Sequence, residues 1–216
     1  MSASSSQERA DRIGEVIETS TIRIWAECDQ LNCLPRLGSV IKVATFDGEA
    51  ILAVVSYGET VGIDSTRRAV RRGSADVQDE DVYKRHPELA RVLRSTFEAL
   101  PVAVHRAGQL YYIAPPVPPP LHYSVEATSV TLLGELTDRL DYLPALTRST
   151  GPVPAEQIVI AHIREAFAER GHDLAWLERA AAELGRIYAR DYDLLLPILQ
   201  AIDPGTGAAT TGRTIV

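Results

Sequence analysis

Cysteine is nearly missing from this chain: Cys28 and Cys33 are the only two in 216 residues. Two thiols cannot form the disulfide framework of a small secreted scaffold. A zinc site wants four ligands, usually in two close pairs, and neither a second cysteine pair nor a nearby histidine joins these two. They read as buried or half-buried structural thiols. Long apolar runs are missing too, since no stretch approaches the roughly 20 residues that a bilayer crossing needs. No cationic start followed by an apolar run and a small-residue cleavage site opens the sequence. The expected address is the cytoplasm, with no membrane partner.

Catalytic signatures are equally scarce. His86, His105, His122, His162 and His172 are scattered, and none lies in an H-E-x-x-H or comparable arrangement. No Gly-x-Ser-x-Gly elbow is present. The stretch 207–214 has the spacing of a phosphate-binding loop, but Arg213 stands where the lysine belongs and neither a strand before nor a helix after it is predicted. The sequence therefore predicts no catalytic residue, no metal ligand set and no cofactor, and the chain is expected not to be an enzyme. Positive charge is also in short supply: 22 Lys and Arg against 29 Asp and Glu leave a net charge of -7. That disfavours a duplex-DNA binder working through its whole surface.

What is present is apolar content of 45%, enough for one good core or two small ones. Ile22, Ile24, Ala26 and Cys28 alternate with Arg23, Trp25 and Glu27, the period of a half-buried strand. Residues 50–55 are apolar on both faces, as in a strand that lines a barrel and is covered from outside. Asp47-Gly48 between that run and residues 39–43 predicts a hairpin, and residues 34–38 supply a turn before it. His86-Pro87 opens a predicted helix over 87–100, striped by Leu89, Val92, Leu93, Thr96, Phe97 and Leu100 and closed by Pro101. Residues 102–104 and 110–113 predict a further hairpin around Ala107-Gly108. The proline-rich run 114–120 predicts a stiff strap.

Residues 129–133 are expected to add one more strand to a mixed region beginning at 123. After it the pattern turns helical through 203. Val159, Ile163, Ala166 and Phe167 form one stripe, ended by Gly171. Asp173 caps a second helix. A third runs from about Tyr192 to Ile202, weakened by Pro197. Residues 1–11 and 204–216 are polar or small and are expected to fray.

Two surfaces stand out as candidate contacts. Arg67, Arg68, Arg71 and Arg72 are the densest charge in the chain and are candidates for gripping nucleic acid or an acidic partner. Asp76, Asp79, Glu80 and Asp81 follow at once, the pattern of a self-neutralising solvated loop. Leu177, Ala181, Leu184 and Tyr188 form a helical stripe that becomes an interface unless the helices fold back and hide it.

Residues 12–18 (Arg-Ile-Gly-Glu-Val-Ile-Glu), the return over 37–43 and the apolar strand over 51–57 together resemble the HAS barrel, the module shared by HerA-type translocases and ATP synthases. Pro87-Glu88-Leu89 with residues 93–97, and Pro120-Leu121-His122, are similar to stand-alone bacterial proteins of that type. The resemblance covers residues 12–122. It implies an α+β fold in which a small six-stranded barrel with an intervening helix precedes a helical segment. It also implies an assembly role: a homo-oligomer, or a hetero-complex with a HerA-like ring ATPase in DNA processing, with nucleic acid contacted indirectly. The alternative is a small barrel that binds nucleic acid directly.

Overall fold

The computed structural model describes residues 12–64 and 70–205. The expected frayed ends, the loop with a phosphate-site spacing, Arg67 and Arg68 lie largely or wholly outside those residues. Seven strands form where apolar residues alternate or run unbroken: β1 (Arg12–Thr19), β2 (Ile24–Cys28), β3 (Val40–Ala44), β4 (Ala50–Gly62), β5 (Leu93–Arg106), β6 (Gln109–Tyr111) and β7 (Ser124–Ala127). They pair in the order β2-β1-β7-β3-β4-β5-β6, and β2 also pairs with β5. Six strands thus close into an antiparallel barrel, while β6 folds back on the end of β5 with Val104 opposite Tyr111. The Asp47-Gly48 hairpin joins β3 to β4, and Gly48 takes the positive φ of 76° that such a turn requires.

Inward-facing Val16, Ile24, Ile41, Ile51, Phe97 and Val125 fill the barrel. The structure therefore corrects the helix expected over 87–100. Only α2 (Leu89–Val92) is helical there, preceded by α1 (Glu80–Arg85), and the chain from Leu93 onward is β5. This strand is buried on both faces along most of its length, so its apolar residues fit a helical stripe as well as a strand run. Partners distant in sequence decide the matter: β4 pairs along one edge, and β2 pairs with part of the other. Pro101 does not end a helix. It sits beside an irregularity in the β4–β5 register, where a missing N–H is tolerated.

The remaining helices are α3 (Val130–Asp138), α4 (Leu143–Leu146), α5 (Ala155–Glu169), α6 (Leu174–Ile187) and α7 (Tyr192–Ile202). The strand expected over 129–133 is instead the start of α3. Ser129 caps it by accepting the Leu132 N–H at 3.3 Å, and strand β7 ends just before. The three C-terminal helices form where expected: Gly171 has φ 68°, Asp173 accepts the Trp176 N–H at 3.1 Å, and Pro197 lies inside α7.

Outward-facing Val40, Leu52, Val54 and Val102 join Leu136, Ile158, Trp176 and Leu184 in a second core between barrel and helices. Each fully buried side chain of this kind contributes about 1.5–3 kcal/mol. Among the described residues no helix is long and apolar enough to cross a membrane.

Candidate functional site

Strand β5 carries one carboxylate into the seam between barrel and helices. Glu98 stands opposite Trp25 of β2 and Tyr57 of β4, and only 3% of it is exposed. The Ser56 hydroxyl reaches Glu98 Oε1 at 3.4 Å and its main-chain oxygen at 3.3 Å. Arg23 Nη1 lies 3.7 Å from Oε2, but this arginine is half exposed and also binds Glu18 at 3.2 Å. Among the described residues the Ser56 and Arg23 contacts to the Glu98 carboxylate are both long, and that arginine is shared with Glu18.

Beside Glu98 opens a cleft of about 560 Å³, a volume typical of ligand sites. Its walls are the β1–β2 turn at residues 20–23, the outer face of β5 at residues 98–102, and the helical layer at Tyr142, Ala145 and residues 148–151. Ile22 and Ile113, both in its lining, are 72% and 56% exposed. Next to the carboxylate, the Trp25 and Tyr57 rings pack 5.9 Å apart. The Tyr57 hydroxyl donates to Glu59 at 2.8 Å, and this bond is the main cause that raises the Tyr57 pKa.

A buried histidine fixes the opposite side of the seam. His162 on α5 is 0% exposed. Its Nδ1–H donates to the Gly38 carbonyl at 2.7 Å, and its Nε2 accepts the Tyr142 hydroxyl at 2.7 Å. Both ring nitrogens are thus satisfied in the neutral form. Burial lowers the His162 pKa to about 4, against a weaker upward pull from the Gly38 carbonyl. Burial likewise holds the Tyr142 hydroxyl far above the ordinary phenol range. The pair ties the turn before β3 to the helices, which is structural work.

The residues expected from the sequence to make contacts lie elsewhere. Arg71 and Arg72 are exposed. Arg72 faces an acidic neighbour, for the Glu88 carboxyl is held below its ordinary range by its own backbone N–H, then by His86, and more weakly by Arg72. Leu177 and Leu184 are buried in the second core, with Ala181 and Tyr188 packed partly buried against it. That stripe is covered by the chain itself, as when the helices fold back on the barrel. Cys28 is half-buried, but Cys33 is exposed, so only the first fits the expected structural thiol. Among the described residues no group of three or more His, Cys, Asp or Glu could hold a metal ion.

Glu98, Arg23 and His162 were not singled out by sequence. The available signal was one carboxylate inside the apolar run from Phe97 to Val104, and it becomes legible only when that run is read as a strand.

The arrangement offers recognition: a buried negative end, an apolar mouth and an exposed arginine, Arg148, in the wall. No protein-family model matches the chain, and no curated protein matches it.

Proposed function

We propose that this protein is a non-catalytic assembly or adaptor module, related to the barrel of HerA-type translocases and ATP synthases, that acts with a HerA-like ring ATPase in DNA processing. The observation that carries the reading is the closed barrel with a filled interior. Closure of the six strands leaves little open sheet edge among the described residues, chiefly β6 and residues 100–103 of β5, so a partner meets the side chains of the outer wall and the cleft at the seam. Much of the apolar surface of the helical segment is used within the fold, which favours a contact on the barrel side. A hetero-complex suits this surface better than packing through the Leu177 stripe.

One observation favours the alternative, a nucleic-acid-binding barrel: the Trp25–Tyr57 pair is only partly buried, and such rings are platforms on which single-stranded bases stack. Glu27, Glu59 and Glu98 accompany that pair and oppose a phosphate backbone. The adaptor reading takes precedence.

Sedimentation velocity at micromolar concentration tests it. Mixed with a HerA-type ATPase from the same genome, the chain is expected to travel with the ring. Two independent boundaries would overturn the proposal. Replacing Arg67, Arg68, Arg71 and Arg72 with alanine is expected to change single-strand DNA affinity by less than about twofold. A steep salt slope that flattens in this variant would favour direct binding instead.

A further inference from the structure

We propose that the seam cleft is a recognition site for a cationic side chain, a guanidinium or ammonium carried by an extended segment of a partner protein. The proposal rests on the adaptor reading and names the chemistry of its partner.

A carboxylate withdrawn from water needs a cation and good hydrogen bonds to offset its lost hydration. Glu98 has neither in full measure. Ser56 is neutral and 3.4 Å away, while Arg23 is 3.7 Å away and divided between Glu98 and Glu18. Two carboxylates thus share one half-exposed guanidinium. Of the other charges lining the cleft, Asp141 accepts from Arg139 Nε at 2.8 Å, and Arg148 is exposed to solvent. The charge left unmatched at the inner end is negative. A partner cation placed there meets a buried carboxylate, the setting in which a charged hydrogen bond is strongest.

The surroundings select an extended, partly apolar segment. β2 covers the edge of β5 at residues 96–99, and β6 covers it from residue 104. Between them, residues 100–103 have β4 on one side, while residues 100–102 line the cleft. A strand-like segment lying there faces backbone as well as side chains, and the missing N–H of Pro101 limits how many main-chain bonds it can make. Ile22 and Ile113 at the cleft supply apolar surface for the residues flanking the cation.

The probe is the tripeptide acetyl-Leu-Arg-Leu-amide, titrated into the full chain and followed by tryptophan fluorescence and by calorimetry. Its counterpart replaces arginine with citrulline, which keeps the shape and removes the charge. The arginine peptide is expected to saturate the protein at millimolar concentration or below, and the citrulline peptide to bind at least about tenfold more weakly. Glu98→Gln should reduce binding of the arginine peptide by a similar factor and leave binding of the citrulline peptide unchanged. The peptide comparison on the unmodified protein keeps the test decisive where that variant fails to fold. No saturation by the arginine peptide, or equal binding of both peptides, overturns the proposal. Loss of cleft binding with the ATPase complex intact sinks this inference alone, whereas a working cleft without that complex sinks the adaptor reading.

Discussion

At the scale of single residues, burial sets the chemistry. His162 is neutral because protonation would place a charge where neither the Gly38 carbonyl nor the Tyr142 hydroxyl can replace water. The unfolded chain takes up this proton near the ordinary value of 6.5, and the folded chain only near 4. Its contribution is therefore fully present above 6.5 and is lost as pH falls towards 4, by roughly 3 kcal/mol. Urea unfolding at pH 7 and at pH 4.5 measures it. His162→Gln is expected to be less stable at pH 7, by about 1–3 kcal/mol, yet to lose less on acidification than the unmodified chain. Parallel losses would contradict the role given to this histidine. The two thiols separate by the same logic. The Cys28 pKa is raised to about 11, first by burial and then by the nearby Cys33. Iodoacetamide at pH 8 should therefore label exposed Cys33 and leave Cys28 largely unmodified, which a mass measurement reads as one adduct. Two adducts formed at equal rates would refute this.

At the scale of elements, the two positive-φ turns flanking β3 differ in what surrounds them. Gly48, φ 76°, has open space around an added Cβ, whereas Gly38, φ 85°, would place one 2.3 Å from the His162 backbone nitrogen. Gly48→Ala should cost only about 1 kcal/mol of left-handed strain. Gly38→Ala adds a collision between the turn and α5, and should cost more than about 3 kcal/mol. Thermal melts of the two variants compare them directly, and equal shifts would mean that the turn does not bear on the helix. Elements with local causes were legible beforehand: the Asp47-Gly48 hairpin, the alternating β2, and the helices bounded by Gly171 and Asp173. β5 was not, because a strand covered on both faces loses its alternation. Residues 129–133 misled for another reason: four apolar or β-branched residues follow Ser129, and the helix start shows only in the Ser129 side chain turning to cap it. The candidate site was illegible for a related reason. Its carboxylate, its shared arginine and its wall from the helical layer come from segments far apart in sequence.

At the scale of the whole molecule, barrel and helices are joined by a common second core, which pairs Val40, Leu52 and Val54 of the barrel with Ile158, Trp176 and Leu184 of the helices. The helical segment therefore braces one wall of the barrel. Elsewhere the outer surface of the barrel is polar: Arg12 binds Asp29 at 2.8 Å, Lys42 binds Glu126 at 2.7 Å, and Glu15 lies 2.7 Å from His122. Exposed pairs of this kind contribute little to stability and remain available to a partner. Hydrogen exchange on the chain, alone and mixed with a HerA-type ring ATPase, tests the adaptor account most directly. The account predicts new protection in β2 and in the 98–103 stretch of β5, with α6 unchanged; protection confined to α6, or no change anywhere, would contradict it.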